Sequence, residues 1–348
     1  MAYTTIDNPE LYFQTKTFSG NAGTNAITLD GSEDMQPDFV WLKKRNGSAN
    51  HHLVDSVRGV GRYLFGNLTN AEGGDGTGLL TAFNSDGFTL DGNADSNGSG
   101  ATGVSWNWKA GGSASTNTSG SIDVELSANS TSGFSVCTGT SASSGEFTFA
   151  HGLGTKVDMC IFKNKADAGT DWVVFHSGVC DATTKYLTLG TGVLSTNGSS
   201  IWGAALPTTT LMGGTSGQLV TGSKGFVAYN FSNRQGFLKC GKYVGNGNAD
   251  GTFVYTGFKP AWVLMKATTA SEHWNLHDNK RDPINVCDAG LKVNENNQEE
   301  DNDRLDFVSN GFKHRSSSGG YNSSNTFIYM AFAEAPLVNS KGVPNNAR

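Results

Sequence analysis

Apolar residues along this chain fall in short runs rich in Val, Phe, Trp, Tyr and Thr, separated by clusters of Gly, Asn, Asp and Ser. Runs of roughly 4 to 8 residues bounded by turn-formers predict strands and turns. No window sustains an apolar stripe at i, i+3, i+4 and i+7 beyond a turn or two, so little helix is expected. One run recurs with a closing lysine: Phe39-Val-Trp-Leu-Lys43, Met159-Cys-Ile-Phe-Lys163 and Trp262-Val-Leu-Met-Lys266, in steps of 120 and 103 residues. A second recurs in the same register: Val104-Ser-Trp-Asn-Trp108, Val227-Ala-Tyr-Asn-Phe231 and Ile328-Tyr-Met-Ala-Phe332, in steps of 123 and 101. Between them, Leu53-Val-Asp55 is matched by Val174-Phe-His176 and Leu276-His-Asp278.

Two independent blocks in one register identify an internal repeat of roughly 100 residues, each a strand-rich unit. The expected fold is all-β, with three tandem β-sandwich (jelly-roll-like) modules at 16–111, 134–236 and 237–335. An N-terminal arm (1–15), a Gly/Ser-rich linker (112–133) with the composition of a flexible tether, and a C-terminal tail (336–348) complete the division. The second block is nearly continuously apolar, as befits a central strand covered on both faces or at a subunit contact.

Composition narrows the class. With 46 Gly but only 7 Pro and 16% charged residues, the chain is neither collagen-like nor a charged disordered tail. A net charge of −6 offers no electrostatic footprint for nucleic acid. No stretch approaches the roughly 20 apolar residues of a membrane helix, so no membrane insertion is expected. The start, Met1-Ala-Tyr-Thr-Thr-Ile-Asp, has neither the basic nor the apolar region of an export signal. Five cysteines without a CxxC pair fit assembly in a reducing compartment.

Candidate chemistry is sparse. Gly236-Phe-Leu-Lys-Cys-Gly-Lys242 approaches a phosphate loop but has Tyr243 where a hydroxyl should reach magnesium. Asp95 to Gly100 and Asn246 to Gly251 imitate half a calcium loop and lack its bidentate Glu. The seven histidines are scattered without a third ligand and read as exposed or turn residues. No metal or cofactor is expected. Asp55-x-x-Arg58 and Asp278-x-x-Arg281 repeat an acid and a base three apart; turn-stabilising ion pairs copied by duplication are the simplest reading. The rival is a hydrolase using Asp55 or Asp278, which needs paired carboxylates about 5 to 9 Å apart. Trp106 and Trp108 share one strand face and match Tyr229 and Phe231, which favours core packing over sugar stacking. Trp202, without a repeat partner, is the better exposed contact.

Met35-Gln-Pro-Asp-Phe-Val-Trp-Leu-Lys43, Leu80 to Leu90, Trp106 to Ala110, Trp172 to Ser177, Phe253 to Ala261 and Tyr329 to Glu334 carry a resemblance. In these segments the chain resembles a family of repetitive structural proteins of tailed bacteriophages, labelled tail-fibre-like or uncharacterised virion proteins. The resemblance implies a virion component and no catalytic residue. A non-enzymatic short tail-fibre or spike-like appendage is therefore expected, a homotrimer that binds a host-surface glycan and other virion proteins and is exposed on the particle. The alternative is a capsid decoration protein clamped by its N-terminal arm; the remote alternative is a glycan-degrading enzyme.

Overall fold

The computed structural model describes residues 3–74, 79–181, 184–196, 200–203 and 207–336. It is all-β, about 46% strand and about 2% helix. Three sheets share one strand order. In the first, Phe13–Ser19, Thr102–Trp108, Phe39–Lys44, His52–Asp55 and Leu64–Phe65 lie side by side, all antiparallel. Phe134–Thr140, Gly225–Phe231, Met159–Asn164, Trp172–His176 and Lys185–Thr188 repeat that order in the second. Leu238–Val244, Thr326–Pro336, Phe258–Ala267, Trp274–Asp278 and Cys287–Lys292 repeat it in the third. The third continues through Glu300–Val308, Gly311–His314 and Phe253–Tyr255 into a nearly closed, barrel-like sheet.

Strand alternation explains why the repeated runs are apolar throughout. Val40, Leu42 and Val54 point from the first sheet onto a small sheet of Asn25–Ile27, Gly87–Leu90 and Leu80–Asn84, where Ile27, Phe88 and Leu90 meet them. Phe39, Trp41, Leu53, Val104, Trp106 and Trp108 point the other way. The second sheet divides likewise: Cys160, Phe162 and Phe175 face Phe147, Phe149 and Met212, while Met159, Ile161, Val174, Val227, Tyr229 and Phe231 face away. Both faces of these strands are thus covered, and a period-2 polar pattern has no place.

The outward-turned faces meet one another in a single hydrophobic cluster that includes residues of all three sheets. At its centre, Trp108 lies 5.8 Å from Phe332 and edge-on to Trp262, Phe231 lies 6.1 Å from Phe332, and Phe134 lies 6.3 Å from Trp108. These positions are cross-strand partners: Phe13↔Trp108↔Phe39, Phe134↔Phe231↔Met159 and Leu238↔Phe332↔Trp262. One rung of each sheet is therefore given to a shared aromatic centre, where edge-to-face and offset contacts add to area burial.

Two expected boundaries move. The 112–133 stretch, expected as a flexible linker, carries Ser115–Asn117 and Val124–Asn129, which extend the second sheet beyond Phe134–Thr140. Val124 and Leu126 bury their side chains, and the Ser127 hydroxyl accepts from Gly111 N and donates to Gly112 O. The 1–15 segment, expected as a free arm, packs on its own chain from Tyr3 onward. Ile6 and Phe13 are buried, Phe13 stacks on Phe332 at 4.8 Å, and the Tyr3 hydroxyl donates to Gly257 O. Two large apolar side chains suffice to hold it. The 336–348 tail lies, from residue 337 onward, outside the described residues.

Because the aromatic centre is common to three sheets, Trp108→Ala is expected to destabilise the whole molecule by about 3–5 kcal/mol. Urea unfolding followed by fluorescence and by far-ultraviolet circular dichroism should give coincident, single transitions in both proteins.

Candidate functional site

Polar groups are concentrated where one sheet abuts the next, and the three junctions are built alike. At the 51/172/274 position, Trp172 Nε1 donates to Phe65 O and Trp274 Nε1 to Thr188 O, each at 2.9 Å. In the first sheet this position is His51. Its Nδ1 accepts from Trp41 Nε1, so Nε2 carries the proton and donates to Lys292 O at 3.2 Å. The register makes Phe65, Thr188 and Lys292 equivalent, since each opposes the residue after 51, 172 or 274. The second sheet thus grips the first, the third grips the second, and the first grips the third. This is a closed ring.

The repeated lysines add a second set of links. The Nζ groups of Lys43, Lys163 and Lys266 reach across to Asn296 O, Thr69 O and Thr191 O at 3.3–3.5 Å. Each also caps a carbonyl beside itself: Lys44 O, Thr170 O and Ala267 O. All three side chains are buried, and burial lowers their pKa values to about 8. Backbone bonds form a third set, with Glu72 N, Leu194 N and Glu299 N donating to Lys165 O, Thr268 O and Arg45 O at 2.8–2.9 Å.

At the 55/176/278 position the junctions diverge. Asp55 pairs with Arg58 at 2.5 Å and accepts from Arg58 N, so it does stabilise a turn. It also accepts from the Tyr229 hydroxyl of the next sheet at 2.9 Å, while Arg58 reaches Glu72. Asp278 repeats this: Arg281 at 2.6 Å, Trp106 Nε1 of the first sheet at 2.9 Å, and Glu299 bound by both Arg281 and Arg45. Burial works against the Glu299 charge, yet these two guanidinium groups hold its pKa below the ordinary value. The junction of the second and third sheets has His176 instead. Its Nδ1 accepts from Gly178 N and its Nε2 donates to Tyr329 O at 3.2 Å.

The other candidates fall into place accordingly. Trp106 and Trp108, read as core residues in preference to stacking surfaces, are buried in the shared centre. Trp202, expected to be an exposed contact, is fully buried; its Nε1 donates to Lys185 O and its ring meets Phe175 edge-on. It serves the second sheet's other core, the counterpart of the one between the first sheet and its companion. Asp55 and Asp278 lie at different junctions, each buried and committed to an arginine, so they do not present paired carboxylates to a substrate. The phosphate-loop look-alike is the strand Leu238–Val244, whose backbone is paired with Thr326–Phe332. The calcium-loop look-alikes are organised by buried amides: Asn97 holds Asn21, Gly23 and Asp91, and Asn322 holds Asn246, Asn248 and Thr252. Among the described residues no group of three His, Cys, Asp or Glu side chains could hold a metal.

The histidines, expected in turns or on the surface, are buried except His273, which sits 3.2 Å from Glu295. Of these, His277 lies within the strand Trp274–Asp278, His52, His176 and His314 stand at strand ends, and His51 and His151 lie just outside strands. Burial lowers the pKa of His52, His151 and His176 to about 4 and that of His314 to about 3. The signal for the junction residues was present in the sequence, in the lysines and in the Trp172 and Trp274 pair; it pointed to a shared structural task and not to a ligand.

A model described as a domain of unknown function (DUF7483) matches residues 8–336. Neither the curated proteins nor the solved structures contain a match to the chain.

Two outcomes follow from these buried groups. Arg281→Met, which leaves Asp278 and Glu299 without their guanidinium, is expected to cost about 3–5 kcal/mol in denaturant unfolding. A histidine kept neutral by burial takes up its proton only on unfolding, so its contribution is complete above pH 6.5 and is lost as pH falls toward 4. Each such histidine contributes a slope of about 1.4 kcal/mol per pH unit in that window. Unfolding midpoints measured from pH 7 to pH 4 should fall steeply, and His314→Phe should make the slope shallower.

Proposed function

The chain belongs to this family of domains of unknown function, and from that premise we propose that it is a non-enzymatic structural protein of a tailed-bacteriophage virion. It forms a short tail-fibre or spike-like appendage that adheres to a host-surface glycan. Its three sheets with their companion strands are three tandem sandwich-like modules, jelly-roll-like in build and closed head to tail. The observation that carries this reading is the ring itself. The buried acids, bases and tryptophans found at its junctions are committed to fixing sheet against sheet, which is the investment expected of a rigid scaffold.

The ring also bears on assembly. Equivalent junctions within one chain supply the threefold geometry that a homotrimer would otherwise provide, so the appendage works as a single-chain counterpart of a trimer. The capsid-decoration alternative relied on a free N-terminal arm, and Ile6 and Phe13 are spent on the chain's own core. That favours the appendage reading.

Light scattering of the purified protein is expected to give the mass of one chain, 36.7 kDa; three times that mass would restore the homotrimer. Reconstruction of phage particles carrying the protein should place it at the tail. Copies on head lattice sites would replace the appendage reading with capsid decoration, and particles without it would end both.

A further inference from the structure

The strand Phe253–Tyr255 pairs with Gly311–His314, turning Val254 inward toward Phe312 and leaving Phe253 and Tyr255 outward. The same local pairing occurs twice more: Ile27 opposes Phe88 in the first repeat and Phe149 opposes Met212 in the second. Ile27, Phe149 and Val254 are all buried, so the inward residue is required by packing. The register sets Ala26 and Thr148 at the position of Phe253 and Ala150 at that of Tyr255, where in the first repeat Thr28 follows the last paired residue, Ile27. The fold therefore accepts small residues there. In the third repeat two aromatic rings stand on one strand face instead, 46% and 56% exposed. Each ring thus leaves about half its surface in water where the other repeats carry small residues, apolar area that is available to a ligand.

Tyr255 also lines a cleft of about 410 Å³, together with Tyr3, Gln235, Lys239 and Arg234, and Phe253 lies two residues along the same strand face. A Cβ on Gly257 would stand 2.6 Å from the Tyr3 phenol oxygen and 3.5 Å from that of Tyr255, so the two hydroxyls converge over a glycine. No Asp or Glu lines the cleft, although the chain as a whole carries −6. Arg234 is engaged by Ser130 O, Leu153 O and Thr155 Oγ1. Lys239 stands there without a carboxylate among the lining residues.

We propose that this cleft binds an anionic saccharide. A pyranose ring has an apolar C–H face and a polar rim, which suits aromatic area beside convergent polar groups. Its C–H faces lie on Phe253 and Tyr255, its hydroxyls meet Gln235 and the phenols, and its carboxylate or sulfate meets Lys239. The assignment rests on the adhesion reading above and gives it a place and a ligand class.

Calorimetric titration of the full chain with hexasaccharides of alginate, carrageenan and maltose separates carboxylate, sulfate and neutral ligands. Tighter binding of one acidic hexasaccharide than of the neutral one is expected. Phe253→Ala combined with Tyr255→Thr copies the first repeat's Ala26 and Thr28, so it should fold with an unchanged melting temperature and bind at least about tenfold more weakly. Lys239→Gln should abolish the preference for acid. Failure of the wild type to bind any of the three, equal binding of neutral and acidic sugars, or undiminished binding by the double variant overturns the proposal. A silent titration by a protein that is found on particles overturns the cleft alone; sugar binding by a protein absent from particles overturns the virion reading alone.

Discussion

The fold depends on how three sheets, each apolar on both faces, keep their second face out of water. A companion sheet covers one face of the first and of the second. The other face has only the neighbouring sheets to meet, and three sheets satisfy that demand together by closing on one another. Closure brings backbone and side-chain polar groups into dry contact, where each must find a partner. The Trp172, Trp274 and His51 donors answer that demand with carbonyls of the adjacent sheet, and the three buried lysines with carbonyls of the loops that follow it.

The junctions also show how much chemistry the ring tolerates at one position. Two use a buried Asp and Arg joined to Glu72 or Glu299, and the third uses neutral His176. Buried ion pairs are costly to desolvate and gain only when their hydrogen bonds are complete. Arg58 and Arg281 achieve this by also binding Leu53 O and Leu276 O. His176 needs no counter-ion because burial keeps it neutral. The asymmetry concentrates charge in two junctions and leaves the one between the second and third sheets uncharged at this position.

Much of this was legible in the sequence. The apolar runs located the central strands, and the repeat register located Asp55 with Arg58 and Asp278 with Arg281 as turn pairs, which they are. The repeat could not show that the three units face one another, because inward and outward positions of a doubly covered strand look alike in an apolar run. For the same reason Trp202 passed as exposed: it lies in a Gly/Ser-rich loop whose composition suggests surface, while its ring fills the second sheet's other core. The 112–133 stretch misled similarly, since Ser and Thr tether a chain in solution but pair as an edge extension when Val124 and Leu126 have a core to enter. The exposed Phe253 and Tyr255 stood out only against their counterparts, and that comparison needed the observed register.

Closure of the ring is the central claim, and native-state hydrogen exchange tests it most directly. If the three sheets share one core, the central strands Thr102–Trp108, Gly225–Phe231 and Thr326–Pro336 should exchange their amides with one common free energy, equal to that of global unfolding. Exchange from one of these strands at a clearly lower free energy, with the other two still protected, would mean that a sheet opens independently and would contradict the ring.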